Sequence, residues 1–117
     1  MSNEDKLINK VLELQELCSF MVFNERDDID YFYSLMKQII NNLIMMNCDN
    51  QRVATFDEYL HKQYHSLIGI IDKTKPKGKD VWDKKGYMDD ITLSYAYIFK
   101  NNCNRRLVDI IKKELIL

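Results

Sequence analysis

The chain has 117 residues, 46% hydrophobic and 30% charged, with only three glycines and one proline. That length suits one domain with a real core, and so few turn formers exclude an all-β fold of many hairpins. A net charge of −1 also excludes the basic excess usual in a general nucleic-acid binder.

Ser2, with Asp5 three residues on, resembles a capping pattern, and Leu7, Val11, Leu14, Cys18 and Met21 then recur at three-and-four spacing. This predicts a first helix ending near Phe23. Leu12, Leu17 and Phe20 widen its stripe, as in a helix packed against two neighbours. Asp27 or Asp28 in NERDD then caps a second helix over about 29–46. Ile29, Phe32, Met36, Ile39, Leu43 and Met46 line one face, with Tyr33, Leu35, Ile40 and Ile44 beside them. Apolar cover over so much of the circumference marks this helix as the centre of the core.

TFDE predicts the third start, with Thr55 as cap and Glu58 reaching back to it. Phe56, Leu60, Tyr64, Leu67 and Ile71 then align to about Asp72, and Pro76 and Gly78 prevent continuation. The last helical region begins near Met88 to Asp90. Its stripe is Ile91, Tyr95, Ile98, Phe99, Cys103, Leu107, Ile110, Glu114 and Leu117. One long helix or two are compatible with this stripe. A break at NNCN is expected, with Asn104 capping the last piece, because four consecutive poor helix formers offer the backbone competing hydrogen bonds. The predicted fold is an all-α compact bundle of four to five mainly antiparallel helices with one long basic loop, about 73–88, in a single domain over 1–117.

Three cysteines, Cys18, Cys48 and Cys103, with no C-x-x-C pair, indicate neither a disulfide framework nor a zinc knuckle. Cys18 and Cys103 fall on stripe positions and are expected in the core. The longest uncharged run, QIINNLIMMNC, is about half the ~20 residues of a membrane span. A cytoplasmic protein without membrane contact is expected.

No catalytic signature emerges. The serines lie in helical contexts rather than a G-x-S-x-G turn, PKGKD lacks P-loop spacing, and Arg52 lies too far before His61 for a helical ribonuclease pattern. Glu58, His61, His65 and Asp72 share one side of the third helix. These two histidines are the whole supply, however, and no second motif offers partner ligands. No enzyme, cofactor or metal site is therefore expected.

Charge is divided along the chain: residues 1–58 hold eleven acids and five bases, net −6, and residues 59–117 seven acids and twelve bases, net +5. This division can close on itself, pair copies of the chain, or present a basic face to an acidic partner. The stretch DKTKPKGKDVWDKKGYMDD concentrates the basic charge beside the only tryptophan. Lys75, Lys77, Lys79, Trp82, Lys84, Lys85 and Tyr87 are the candidate partner-binding residues, directed at the acidic surface of another protein. Trp82 either plugs the bundle or meets that partner.

FYSLM in the second helix, SLIGI in the third and VWDKKGY after it are similar to segments of the helical Bcl-like inhibitors of host signalling made by poxviruses. The resemblance covers three fragments of five to seven residues and implies an inhibitor acting by stoichiometric contact. The residues themselves lead to the broader expectation of an inhibitor, immunity protein or adaptor, with a homo-oligomer as one arrangement. A nucleic-acid-associated protein using Lys73 to Lys85 with Arg105 and Arg106, or a metal-binding bundle, are the alternatives.

Overall fold

The computed structural model describes residues 3–48, 50–74 and 88–115. They form four helices: α1 (Asn3–Phe20), α2 (Arg26–Met45), α3 (Gln51–Thr74) and α4 (Asp90–Glu114). The expected loop at 73–88 lies mostly outside the described residues, and α3 runs through Thr74.

Each helix packs on its chain neighbour, and α1 also meets α4. The pairings run antiparallel. Between α2 and α3, Lys37 faces Asp57 (2.7 Å), Tyr33 faces His61, Asp30 faces Tyr64 (2.6 Å) and Arg26 faces Asp72 (3.7 Å). Rising numbers on one helix meet falling numbers on the other. At the α1–α4 seam Asn104, Lys100 and Tyr97 meet Cys18, Met21 and Phe23 in turn.

Asp28 starts α2 by accepting from the backbone N–H groups of Asn24 and Glu25, both at 2.8 Å. The seven buried apolar residues of α2, from Ile29 to Leu43, make it the central helix its sequence predicts. It stops in a Schellman cap: Cys48 N–H donates to Leu43 O (2.9 Å) and Asn47 N–H to Ile44 O (3.0 Å). Asn47 supplies the left-handed residue this cap requires, at φ 63°.

α3 begins five residues before the position TFDE suggests, at Gln51 rather than Phe56. Asn50 is its cap, accepting from Val53 N–H at 3.1 Å, and burial of Val53 draws that extra turn onto the core. Thr55 instead accepts from the Gln51 side chain, and Glu58 pairs with Lys62.

The expected break at residues 101–104 is absent. α4 is one helix of 25 residues, because Cys103 is fully buried and the Asn104 amide reaches the Cys18 carbonyl. Packing outweighs the weak local propensity of NNCN. The stripe expected from Ile91, Tyr95 and Ile98 is also corrected: all three face solvent, while Thr92, Ala96 and Lys100 turn inward.

The cause is a polar anchor. Lys100 Nζ donates to the carbonyl of Met21 just past α1, and Tyr97 OH accepts from Phe23 N–H at 3.0 Å. With Asn104 on Cys18, α4 thus serves the open end of α1 with three side chains. These bonds fix the rotation of α4 about its axis. Phe23 carries the seam into the core, edge-to-face on Phe32 (5.6 Å), which meets Phe99 likewise (5.5 Å).

At the opposite end, Glu114 accepts from Asn50 (2.9 Å) and Arg52 (2.7 Å), fastening the last turn of α4 to the start of α3. These hydrogen bonds, that of Asn50 foremost, hold its carboxyl below the ordinary 4.5. A carboxyl lowered on folding stabilises the native state fully above its ordinary pKa and stops doing so as pH falls through the folded value. Glu114→Gln is therefore expected to cost about 1 kcal/mol at neutral pH, in urea unfolding, and progressively less as the pH is lowered below 4.5. A gap that does not shrink as the pH falls would contradict this account of the clasp.

Candidate functional site

Lys75, Lys77, Lys79, Trp82, Lys84, Lys85 and Tyr87 all lie outside the described residues. The chain re-enters at Met88, which is buried and donates its N–H to Asn24 O at 3.0 Å.

The histidines sit in an aromatic row on the α2–α3 face. Tyr33 stacks on Tyr64 at 4.1 Å between ring centroids, His65 meets Tyr64 edge-on at 5.3 Å, and the two imidazoles lie 4.3 Å apart. Tyr64 donates to Asp30, and burial with this bond pushes its phenol up to about 12. Of the carboxylates on that side of α3, Glu58 pairs with Lys62 and Asp72 with Arg26. Among the described residues no group of three or more His, Cys, Asp or Glu side chains could hold a metal ion.

Cys18 and Cys103 are buried, as the stripes predict, and burial pushes both thiols up to about 12. They are neutral packing groups at physiological pH. Of the two arginines near the C-terminal end, Arg106 sits over the Tyr59 ring, its guanidinium carbon 3.8 Å from the centroid, and Arg105 donates to Asn102. No helix of the described residues is long and apolar enough to cross a membrane.

Two grooves are built on the described helices. The first, about 460 Å³, runs between α3 and α4 over Phe56 and Ile110. Arg52 and Arg106 border it, yet both are engaged internally, on Glu114 and Tyr59. The second, about 410 Å³, lies between α1 and α2 with Leu35 as floor. Leu17, Phe20, Met21 and Tyr31 form its walls, and Glu13 and Glu16 its rim.

This second groove is the stronger candidate. Phe20 is 77% exposed, with Val22, Leu17 and Tyr31 also open to solvent around it. Large apolar residues gathered this way on a water-facing surface mark a contact site more often than scattered ones do. The sequence places Leu17 and Phe20 on the flank of the core stripe, and the structure turns that flank outward. Glu13 and Glu16, at three-and-four spacing with Leu17 and Phe20, are the signal that this side of α1 borders water.

No family profile matches the chain, and comparisons with curated proteins and with solved structures gave no match either.

Proposed function

We propose that the chain is a small non-enzymatic module, an inhibitor, immunity protein or adaptor, that binds another protein by stoichiometric contact, with the α1–α2 groove as one contact surface. The observation that supports this most is the joining there of solvent-facing Leu17, Phe20 and Tyr31 with an acidic rim at Glu13 and Glu16. An apolar centre with a charged edge suits a reversible interface. The fitting partner segment carries one or two large apolar side chains flanked by lysine or arginine. The rim acids then add steering and register more than bulk affinity. The segment bearing Lys75, Lys77, Lys79, Trp82, Lys84, Lys85 and Tyr87 keeps its place in the proposal as a contact for an acidic partner surface.

The test is affinity capture from the native cells with wild type, with Phe20→Asp, and with the double variant Trp82→Ala, Lys77→Glu. Circular dichroism checks that each is folded. A partner held in one-to-one ratio by wild type and lost from Phe20→Asp supports the groove. Loss from the double variant alone moves the contact to the lysine segment, and equal recovery by all three removes both.

A further inference from the structure

Spacing along α3 shows that His61 and His65 lie one turn apart, and the structure adds a support behind each ring. Both side chains are exposed. Nδ1 of His61 lies 3.4 Å from the hydroxyl of Tyr33, and His65 meets the Tyr64 ring edge-on at 5.3 Å. Tyr33 and Tyr64 stack on each other at 4.1 Å, and Tyr64 is tied to Asp30 of α2. The imidazoles are therefore placed by an aromatic pair spanning two helices, and not only by the helix that carries them. When Nδ1–H of His61 donates to the Tyr33 hydroxyl, its Nε2 keeps a free lone pair.

From this geometry we infer that His61 and His65 together chelate one divalent late first-row transition metal ion, with solvent in its remaining positions. A nitrogen about 2.1 Å from a metal puts its imidazole ring centre about 3.2 Å from the ion, so two rings at right angles have centres about 4.5 Å apart and two at the tetrahedral angle about 5.2 Å. The two ring centres here are 4.3 Å apart, close to the right-angled value. Neighbouring positions of a square-planar or octahedral ion subtend that angle, which favours Ni²⁺ or Cu²⁺ over tetrahedral Zn²⁺. The nitrogen ligands in turn exclude Mg²⁺ and Ca²⁺, which take oxygen.

Glu58 does not join the pair. It lies seven residues before His65, about 10 Å along the helix, and is bonded to Lys62. The chelate thus needs only two protein ligands, in keeping with the absence of any larger ligand group among the described residues. Two ligands in place of the four of a structural site set the dissociation constant at roughly 1–100 µM, an open and exchangeable site. Tyr33 occupies the place of the hydrogen-bond partner that commonly fixes the ring of a metal-binding histidine.

Calorimetric titration of the full chain, free of any histidine tag, with NiCl2, CoCl2 and MgCl2 tests this. Wild type should take up one Ni²⁺ per chain, bind Co²⁺ more weakly and take up no Mg²⁺. His61→Ala and His65→Ala should each weaken Ni²⁺ binding at least about tenfold, because the second bond of a chelate forms at high effective concentration. Tyr33→Phe keeps the stacked ring and removes the hydroxyl, and should weaken binding about tenfold. Far-ultraviolet circular dichroism checks that each variant is folded. Absence of uptake at about 1 mM Ni²⁺, or an affinity that survives loss of either histidine, overturns the inference. An affinity unchanged in Tyr33→Phe overturns the part assigned to the aromatic support. Because the titration contains no partner protein, its failure is separate from failure of the groove proposal.

Discussion

Lys100→Glu is expected to destabilise the protein by about 3–5 kcal/mol, among the largest losses from any single side chain. Lys100 is buried, donates to the Met21 carbonyl, and lies 5.6 Å and 6.0 Å from the Tyr97 and Phe23 ring centroids. The carbonyl end of α1 carries partial negative charge, which the ammonium complements. Glutamate reverses this. It leaves the carbonyl without its donor and sets a desolvated carboxylate against the negative pole and the faces of two aromatic rings.

Lys100→Met separates charge from packing. The methionine keeps an apolar stem of similar length and removes the cost of desolvating an ammonium, but it forfeits a hydrogen bond to a charged donor. Such bonds contribute about 1.5–3 kcal/mol, so a net loss of about 1–2 kcal/mol is expected after the desolvation saving. Urea unfolding of both variants at neutral pH measures the two losses. A Lys100→Glu protein within about 1 kcal/mol of wild type would show that the anchor does not hold α4.

Phe32→Ala is expected to cost about 3–5 kcal/mol, and Phe32→Leu no more than about 1.5 kcal/mol. Phe32 has no exposed surface, and its ring meets Phe23 and Phe99 edge-on, so it joins α2 to the α1–α2 connection and to α4. Alanine leaves a void bounded by three different segments, which cannot all move inward at once. Leucine fills most of the volume and loses chiefly the ring–ring geometry, worth about 0.5–1.5 kcal/mol per pair. Against a total stability of about 5–15 kcal/mol, the alanine variant keeps a much reduced margin. Equal losses for alanine and leucine would place the effect in ring contacts rather than in volume.

The helical class and the centre of the core were legible because α2 repeats Ile29, Phe32, Met36, Ile39 and Leu43 at the period of a helix. Burial follows such a pattern when nothing opposes it. In the first half of α4 something does. Ile91, Tyr95 and Ile98 keep an equally good period, but the helix is turned by side-chain bonds to carbonyls in the last turn of α1 and just past it, and a carbonyl has no residue-type signature. A lysine among apolar neighbours was the visible trace of that reversal.

The start of α3 was misread for a simpler reason. Asn50 and Thr55 are both competent caps, and burial of Val53 decides between them. The α1–α2 groove was half legible: Leu17 and Phe20 stood out as apolar, while their exposure depends on how far α2 reaches across α1. The lysine and tryptophan segment lies outside the described residues.

The anchor between α4 and α1 joins positions 74, 79 and 86 residues apart. Contacts of such long range close late, because the loop entropy must be met before they return any energy, whereas the connections between α1 and α2 and between α2 and α3 are short. During synthesis the end of α1 waits for its donors until α4 has followed the other three helices. Which side of α4 meets water is therefore settled only once α4 itself has been made and has reached α1.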